Sequence, residues 1–152
     1  MELLVESNGV IYDMTSCCTK LSLSESLNDG AGSLDFTYLY DGTEIIQNGS
    51  YVRLCNTSET DGVFFGRVFK TGMGQDKEVK VKAYDQIRYC KAKDTITIEN
   101  ETLTDLVTRM CNFFQLQTGS LMPTGYVLQA KPQCDKTCLL YTSDAADEED
   151  SV

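Results

Sequence analysis

The sequence predicts a mainly β protein, α+β overall, with an antiparallel β-barrel or sandwich as its N-terminal domain and a partial β-α-β unit after it. Three observations carry that prediction. Short segments of alternating apolar and polar residues recur from Glu2 to Tyr89. Polar or glycine-bearing turns separate them. Near Asp94 the apolar period lengthens from that of a strand to that of a helix.

Glu2 to Val5 and Val10 to Tyr12 flank Ser7-Asn8-Gly9, whose Asn-Gly dipeptide favours a two-residue hairpin turn. Lys20 to Ser26 sets Leu21 and Leu23 against serines, the pattern of a half-buried strand, and Leu27-Asn28-Asp29-Gly30-Ala31-Gly32 is turn chemistry. Ser33 to Tyr40 places Leu34, Phe36, Tyr38 and Tyr40 on one side. After the Asn48-Gly49 turn, Tyr51 to Cys55 does the same with Val52 and Leu54.

The most informative stretch, Val63 to Tyr89, reads as a β-hairpin leading into a short turn. Val63, Phe65 and then Val68 are expected on one surface, with a slip at Gly66 that marks a bulge or a close backbone approach. Val79, Val81 and Ala83 answer from the returning strand. Gly72, Gly74, Gln75 and Asp76 supply the positive-φ and side-chain-bonding residues of the loop. Asp85 is expected to cap a turn over Gln86 to Tyr89 with its own side chain.

Thr95 to Ile98 is a further short strand, and Thr102-Leu103-Thr104-Asp105 has the form of a capping box. Leu103, Leu106, Val107, Met110, Phe113 and Phe114 then recur at helical spacing as one wide apolar stripe. Pro123 and Gly125 break the chain before a second strand expected at Tyr126 to Leu128. The expected organisation is a β-barrel domain over 1–93, an incomplete α+β domain over 94–137 and a tail over 138–152.

Composition narrows the chemistry. The chain has no histidine and no Cys-x-x-Cys pair, which removes the Ser-His-Asp triad, the Cys-His nucleophile pair and the His-bearing zinc patterns. Of its seven cysteines, Cys138 falls in the terminal run considered below, and the other six are expected to be free thiols serving as small apolar residues. Glu99 with Glu101, or Asp94 with Glu99, lie in a polar loop and read as solvated carboxylates rather than a glycosidase pair. Gly72 and Gly74 lack the lysine and following helix of a phosphate loop. No enzyme activity, metal or cofactor is expected.

Charge points away from nucleic acid. The formal net charge is −10, and five acids with no base lie beyond Lys136, leaving −5 on residues 1–137. The local basic cluster around Lys77, Lys80 and Lys82 reads as a solvent face opposite Val79 and Val81. With no apolar run of transmembrane length and no charged-then-apolar leader, the expectation is a product kept in a cytoplasm until assembly, with no membrane partner.

The run Cys138-Leu139-Leu140-Tyr141-Thr142-Ser143-Asp144-Ala145-Ala146-Asp147-Glu148 resembles an in-frame translation of a transposase-type sequencing adapter, so the native chain is expected to be cut short near Thr137. A natural acidic tail has the same composition.

A family resemblance covers residues 1–137. The start Met1-Glu2-Leu3-Leu4, then Val10-Ile11-Tyr12-Asp13, the Phe-x-Gly-x-Val step from Phe64 to Val68, Ala83-Tyr84-Asp85 and the acid-capped helix after it together resemble the baseplate hub proteins of contractile phage tails, in the form found in defective-prophage particles of Gram-positive bacteria. That resemblance implies a virion-tail protein, assembled in the bacterial host's cytoplasm, whose barrel forms a homo-oligomeric, trimeric ring between tail tube and spike. Phe65, Gly66, Val68, Tyr84 and Asp85 are the residues expected to carry its architecture. Specific nucleic-acid binding is not expected. The alternative is a cell-wall glycan-binding module, which exposed aromatics at Phe113, Phe114 and Tyr126 would favour. A tail-associated cell-wall hydrolase ranks third, disfavoured by the missing histidine.

Overall fold

The computed structural model describes residues 1–25, 30–42, 46–56, 62–74, 76–128 and 131–137. The turn expected around Leu27 to Asp29, the loop residue Gln75 and the acidic tail lie outside them. Contacts divide the chain into two units, Met1–Gln86 and Ile87–Val152.

The first unit is a single seven-stranded sheet. Its strands are β1 (Glu2–Ser7), β2 (Val10–Asp13), β3 (Cys18–Ser24), β4 (Ser33–Leu39), β5 (Tyr51–Cys55), β6 (Gly62–Met73) and β7 (Glu78–Asp85). They lie in the order β2-β1-β5-β6-β7-β4-β3, with every neighbour antiparallel, and the sheet curls into a half-barrel with β2 and β3 as its edges.

Turn chemistry sets the first register. Asn8 and Gly9 both adopt positive φ, 53° and 78°, which is what a type I′ hairpin turn requires, and they place Val5 opposite Tyr12. The β6–β7 loop departs from expectation: among its described residues Lys77 has positive φ, at 58°, and neither Gly72 nor Gly74 is left-handed. Pairing continues to Met73↔Val79, so Gly72 belongs to a strand and Lys77 makes the turn.

The inner face carries the core. Leu3 and Val5, Leu34 and Phe36, Val52 and Leu54, Phe64 and Val68, and Val79, Val81 and Ala83 are all buried in it, strand by strand at the period of two. Each large side chain buried this way contributes about 2 kcal/mol. Ser7 and Ser50 are also buried and satisfy each other through a 3.0 Å hydroxyl hydrogen bond.

One expectation about β6 is corrected. Phe64, Gly66 and Val68 face the core, whereas Val63 and Phe65 are 37% and 47% exposed on the outer face. Alternation runs unbroken through Gly66, so no slip occurs there. The extra residue sits at Phe69, where pairing to β7 steps from Val68↔Ala83 to Lys70↔Lys82. Gly66 answers the other half of the expectation, the close approach. A Cβ there would stand 2.7 Å from the carbonyl carbon of Tyr84, closer still to its oxygen, and 2.8 Å from the ring of Phe64.

A 3-10 turn, Gln86–Lys91, follows β7 directly, and the second unit takes over within it at Ile87. That unit holds β8 (Lys93–Ile98), α1 (Leu103–Phe113) and β9 (Lys131–Thr137). The capping box is present: the Thr102 hydroxyl accepts from the Asp105 amide at 3.2 Å, and the Asp105 carboxylate accepts from the Thr102 amide at 3.2 Å and hydroxyl at 2.8 Å. Those bonds hold the Asp105 carboxyl below the usual carboxylate range. At the other end Gln115, at φ 56°, and Leu116 donate to Asn112 and Cys111 carbonyls, a Schellman closure. Leu106 and Met110 pack with Ile98 and Leu128 in a small separate core.

The second strand is not where the apolar pattern put it. Val127 forms only an isolated bridge with Thr102, and the strand that pairs antiparallel with β8 is the polar Lys131–Thr137. Its backbone hydrogen bonds, not an apolar period, define it.

Gly66→Ala is expected to lower the unfolding free energy by about 3 kcal/mol, because the obstructing atoms are backbone. Gly72→Ala, with nothing within 4 Å of its added carbon, is the near-neutral control in the same urea titration. Thr102→Ala is expected to cost about 1 kcal/mol and to loosen α1 in hydrogen exchange. The pH dependence follows from Asp105. Because its folded pKa is depressed, its support is complete above the ordinary aspartate value of 3.8 and is lost as pH falls through the lower folded value. The acid-side loss of α1 protection should therefore shrink in Asp105→Asn.

Candidate functional site

Alternation that sends one set of residues into the core sends the other outward, and on β5, β6 and β7 that outer set is aromatic and basic. Tyr51 stacks on Phe65, with ring centroids 5.8 Å apart and planes 13° from parallel. The Arg67 guanidinium lies 4.0 Å over the Tyr51 ring and donates to its hydroxyl. Phe69 meets Tyr84 edge to face at 5.4 Å. Lys82 donates to Asp35 at 3.1 Å and sits 5.5 Å from the Tyr84 ring. The bond to Asp35 and the charge behind it raise the Lys82 pKa.

Register explains the grouping. Tyr51, Arg67 and Tyr84 are consecutive partners across three strands, so one row crosses the sheet. The bulge turns Phe69 outward beside that row. The result is a rigid platform with Val63, Phe65 and Phe69 partly exposed on it.

Of the five residues singled out from sequence, Phe65 and Tyr84 lie on this platform, Gly66 and Val68 lie beneath it facing the core, and Asp85 ends β7. Asp85 does not cap the following turn. Its Oδ2 accepts from the Gly32 amide at 2.8 Å, its own amide donates to the Gly32 carbonyl at 3.0 Å, and its Oδ1 is buried without a hydrogen-bond partner. The carboxylate thus ties the end of β7 to the chain entering β4. A turn-forming acid and a cross-strand clamp look alike in sequence.

Tyr51, Arg67 and Phe69 were missed. Their signal was the second phase of the same alternation: Val63, Phe65, Arg67 and Phe69 are the odd positions of β6.

A cavity of about 380 Å³ lies among Met14, Tyr38 and Ile46, with Asp13, Asp41 and Cys17 also lining it. Asp13 accepts from the Thr15 amide at 2.9 Å, and bonds to Thr15 hold its carboxyl below the usual range. The Tyr38 hydroxyl accepts from the Ile46 amide at 3.2 Å, and burial pushes its pKa up. Among the described residues no cluster of acids and cysteines has metal-binding form, Cys17, Cys18, Cys55, Cys90 and Cys111 are free thiols, and no helix is long and apolar enough to cross a membrane.

In the second unit, Phe113 is 67% exposed, while Phe114 and Tyr126 pack against the small core. Phe113 falls at the margin of the apolar stripe in the last helical turn, so Phe114 takes the inward position.

A curled antiparallel sheet with a short helix near its C-terminus defines the class, and a solved structure shares it. The 43 kDa tail protein of prophage MuSo2 from Shewanella oneidensis superposes with a TM-score of 0.76 at 17% identity, over 97% of this chain and 49% of that one. The chain spans about half the length of that protein. No curated protein matches the chain. Residues 21–150 match the YQBQ-like family, and the chain belongs to it.

Asp85→Ala is expected to destabilise the first unit by about 2 kcal/mol and to accelerate exchange of the Gly32 amide ahead of its neighbours. Exchange at Gly32 unchanged in a folded variant would contradict the clamp.

Proposed function

We propose that this chain is a non-catalytic structural part of the tail of a phage or phage-like particle, and within the tail a component of the baseplate hub. The observation that carries the reading is the fold, which this chain shares over almost its whole length with about half of a prophage tail protein. In this role the sheet domain assembles as a trimeric ring that joins tail tube to spike. Two features of the first unit suit lateral assembly. β2 and β3 are edge strands, and edges with unpaired backbone groups are natural sites of inter-subunit pairing. The outer platform presents apolar rings beside cations that fold stability alone does not require. Closed rotational symmetry then limits association to a fixed number of copies. A net negative chain suits a passage that DNA must cross without adhering.

Light scattering on the full chain across a concentration series tests the reading. A plateau at three times the monomer mass is the expected result. A folded monomer at every concentration would overturn it.

A further inference from the structure

Two Asn-Gly dipeptides lie in this chain, Asn8-Gly9 and Asn48-Gly49, and all four residues are exposed. In such a pair the glycine amide nitrogen can attack the asparagine side-chain carbonyl, because the glycine has no side chain to obstruct the approach. Closing that ring requires the asparagine backbone to leave its folded turn, so the rate follows how often the turn opens. Hydrogen bonding separates the two sites. The Gly49 amide donates to the Val68 carbonyl at 2.7 Å, the Val68 amide to the Ser50 carbonyl at 2.9 Å and the Ser50 amide to the Gln47 carbonyl at 3.2 Å. Buried Ile46 and Ser50 flank that turn, and the Ser50 hydroxyl is tied to Ser7. Asn8-Gly9 instead joins β1 to β2, a four-residue edge strand with one neighbour and no fully buried side chain. A two-residue hairpin turn is closed between its flanking residues, here Ser7 and Val10, which leaves the Gly9 amide out of the ladder. Opening it uncovers little, since Val10 and Ile11 are already 49% and 67% exposed.

We infer that Asn8 is a site of spontaneous deamidation and backbone isomerisation, from which the fold shields Asn48. The Gly9 nitrogen bonds to Asn8 Cγ, the Cγ–Nδ2 bond breaks, and ammonia leaves with the Gly9 amide proton, giving a cyclic imide. Water is the co-reactant that opens it. Cleavage at Cγ gives ordinary aspartate, and cleavage at the main-chain carbonyl gives a β-linked aspartate whose chain runs through Cβ and Cγ. No oxidant, reductant or partner copy takes part. Either product adds a negative charge. The β-linked product also lengthens the backbone of a turn that two left-handed residues, at φ 53° and 78°, now close, so the Ser7↔Val10 pairing loosens and β2 frays from β1.

The test is peptide mapping by mass spectrometry of the full chain, aged folded at mildly alkaline pH and, in parallel, unfolded in urea, with isotopically heavy water marking deamidation that occurs during ageing. In the folded chain Asn8 is expected to react about tenfold or more faster than Asn48, and in urea the two rates are expected to converge. Asn48 reacting as fast as Asn8 in the folded chain, or Asn8 staying intact there while the urea sample reacts, overturns the assignment. Hydrogen exchange of the aged chain checks the consequence. Val10 to Tyr12 are expected to lose protection in the aged chain and to keep it in Asn8→Asp, which carries the charge on an ordinary backbone. Equal loss in Asn8→Asp, or no loss in the aged chain, overturns the fraying by β-linkage.

Discussion

The approach of β6 to β7 at Gly66 is the constraint on which the first unit depends. Tyr84's carbonyl and the Phe64 ring occupy the space that any side chain at Gly66 would need. β6 sits at the middle of the sheet, bonded to β5 on one side and β7 on the other, so this contact fixes how the two halves meet. Three residues on, the bulge at Phe69 adds local twist to the same twelve-residue strand. A strand this long stays within a curled sheet because the bulge bends it. At the end of β7, the Asp85 bonds to Gly32 carry the constraint into β4.

The core and the surface are two consequences of one pattern. Because Phe64, Gly66 and Val68 fill the inner face, Phe65, Arg67 and Phe69 stand outside, and their partners Tyr51 and Tyr84 are delivered by register alone. Stacking, cation–π and edge-to-face contacts then hold the outer rings in fixed positions. Rings held this way lose little freedom when a partner covers them, which favours a binding surface over a loose apolar patch.

Much of this fold was legible because local chemistry and global fold agree. Asn8-Gly9 announces its turn, Tyr51 to Cys55 and Leu34 to Tyr38 alternate cleanly, and Thr102 to Asp105 spells its cap. What was misread involved information that pairing supplies. Val63 and Phe65 are as apolar as Phe64, so only the partner strand decides which phase faces inward. Polar Lys131–Thr137 becomes a strand because β8 offers it a ladder. Asp85's role depends on Gly32, fifty-three residues away in sequence. The platform was visible only once three strands were set side by side.

The chain belongs to the YQBQ-like family and shares its fold with a prophage tail protein, and the tail assembly proposed above is the claim to test. Class averages of the full chain by electron microscopy, at concentrations where it associates, test that claim most directly. A closed particle with rotational symmetry and a central opening, its wall formed by the curled sheets, is the predicted result. Open filaments, or isolated particles the size of one chain, would contradict it.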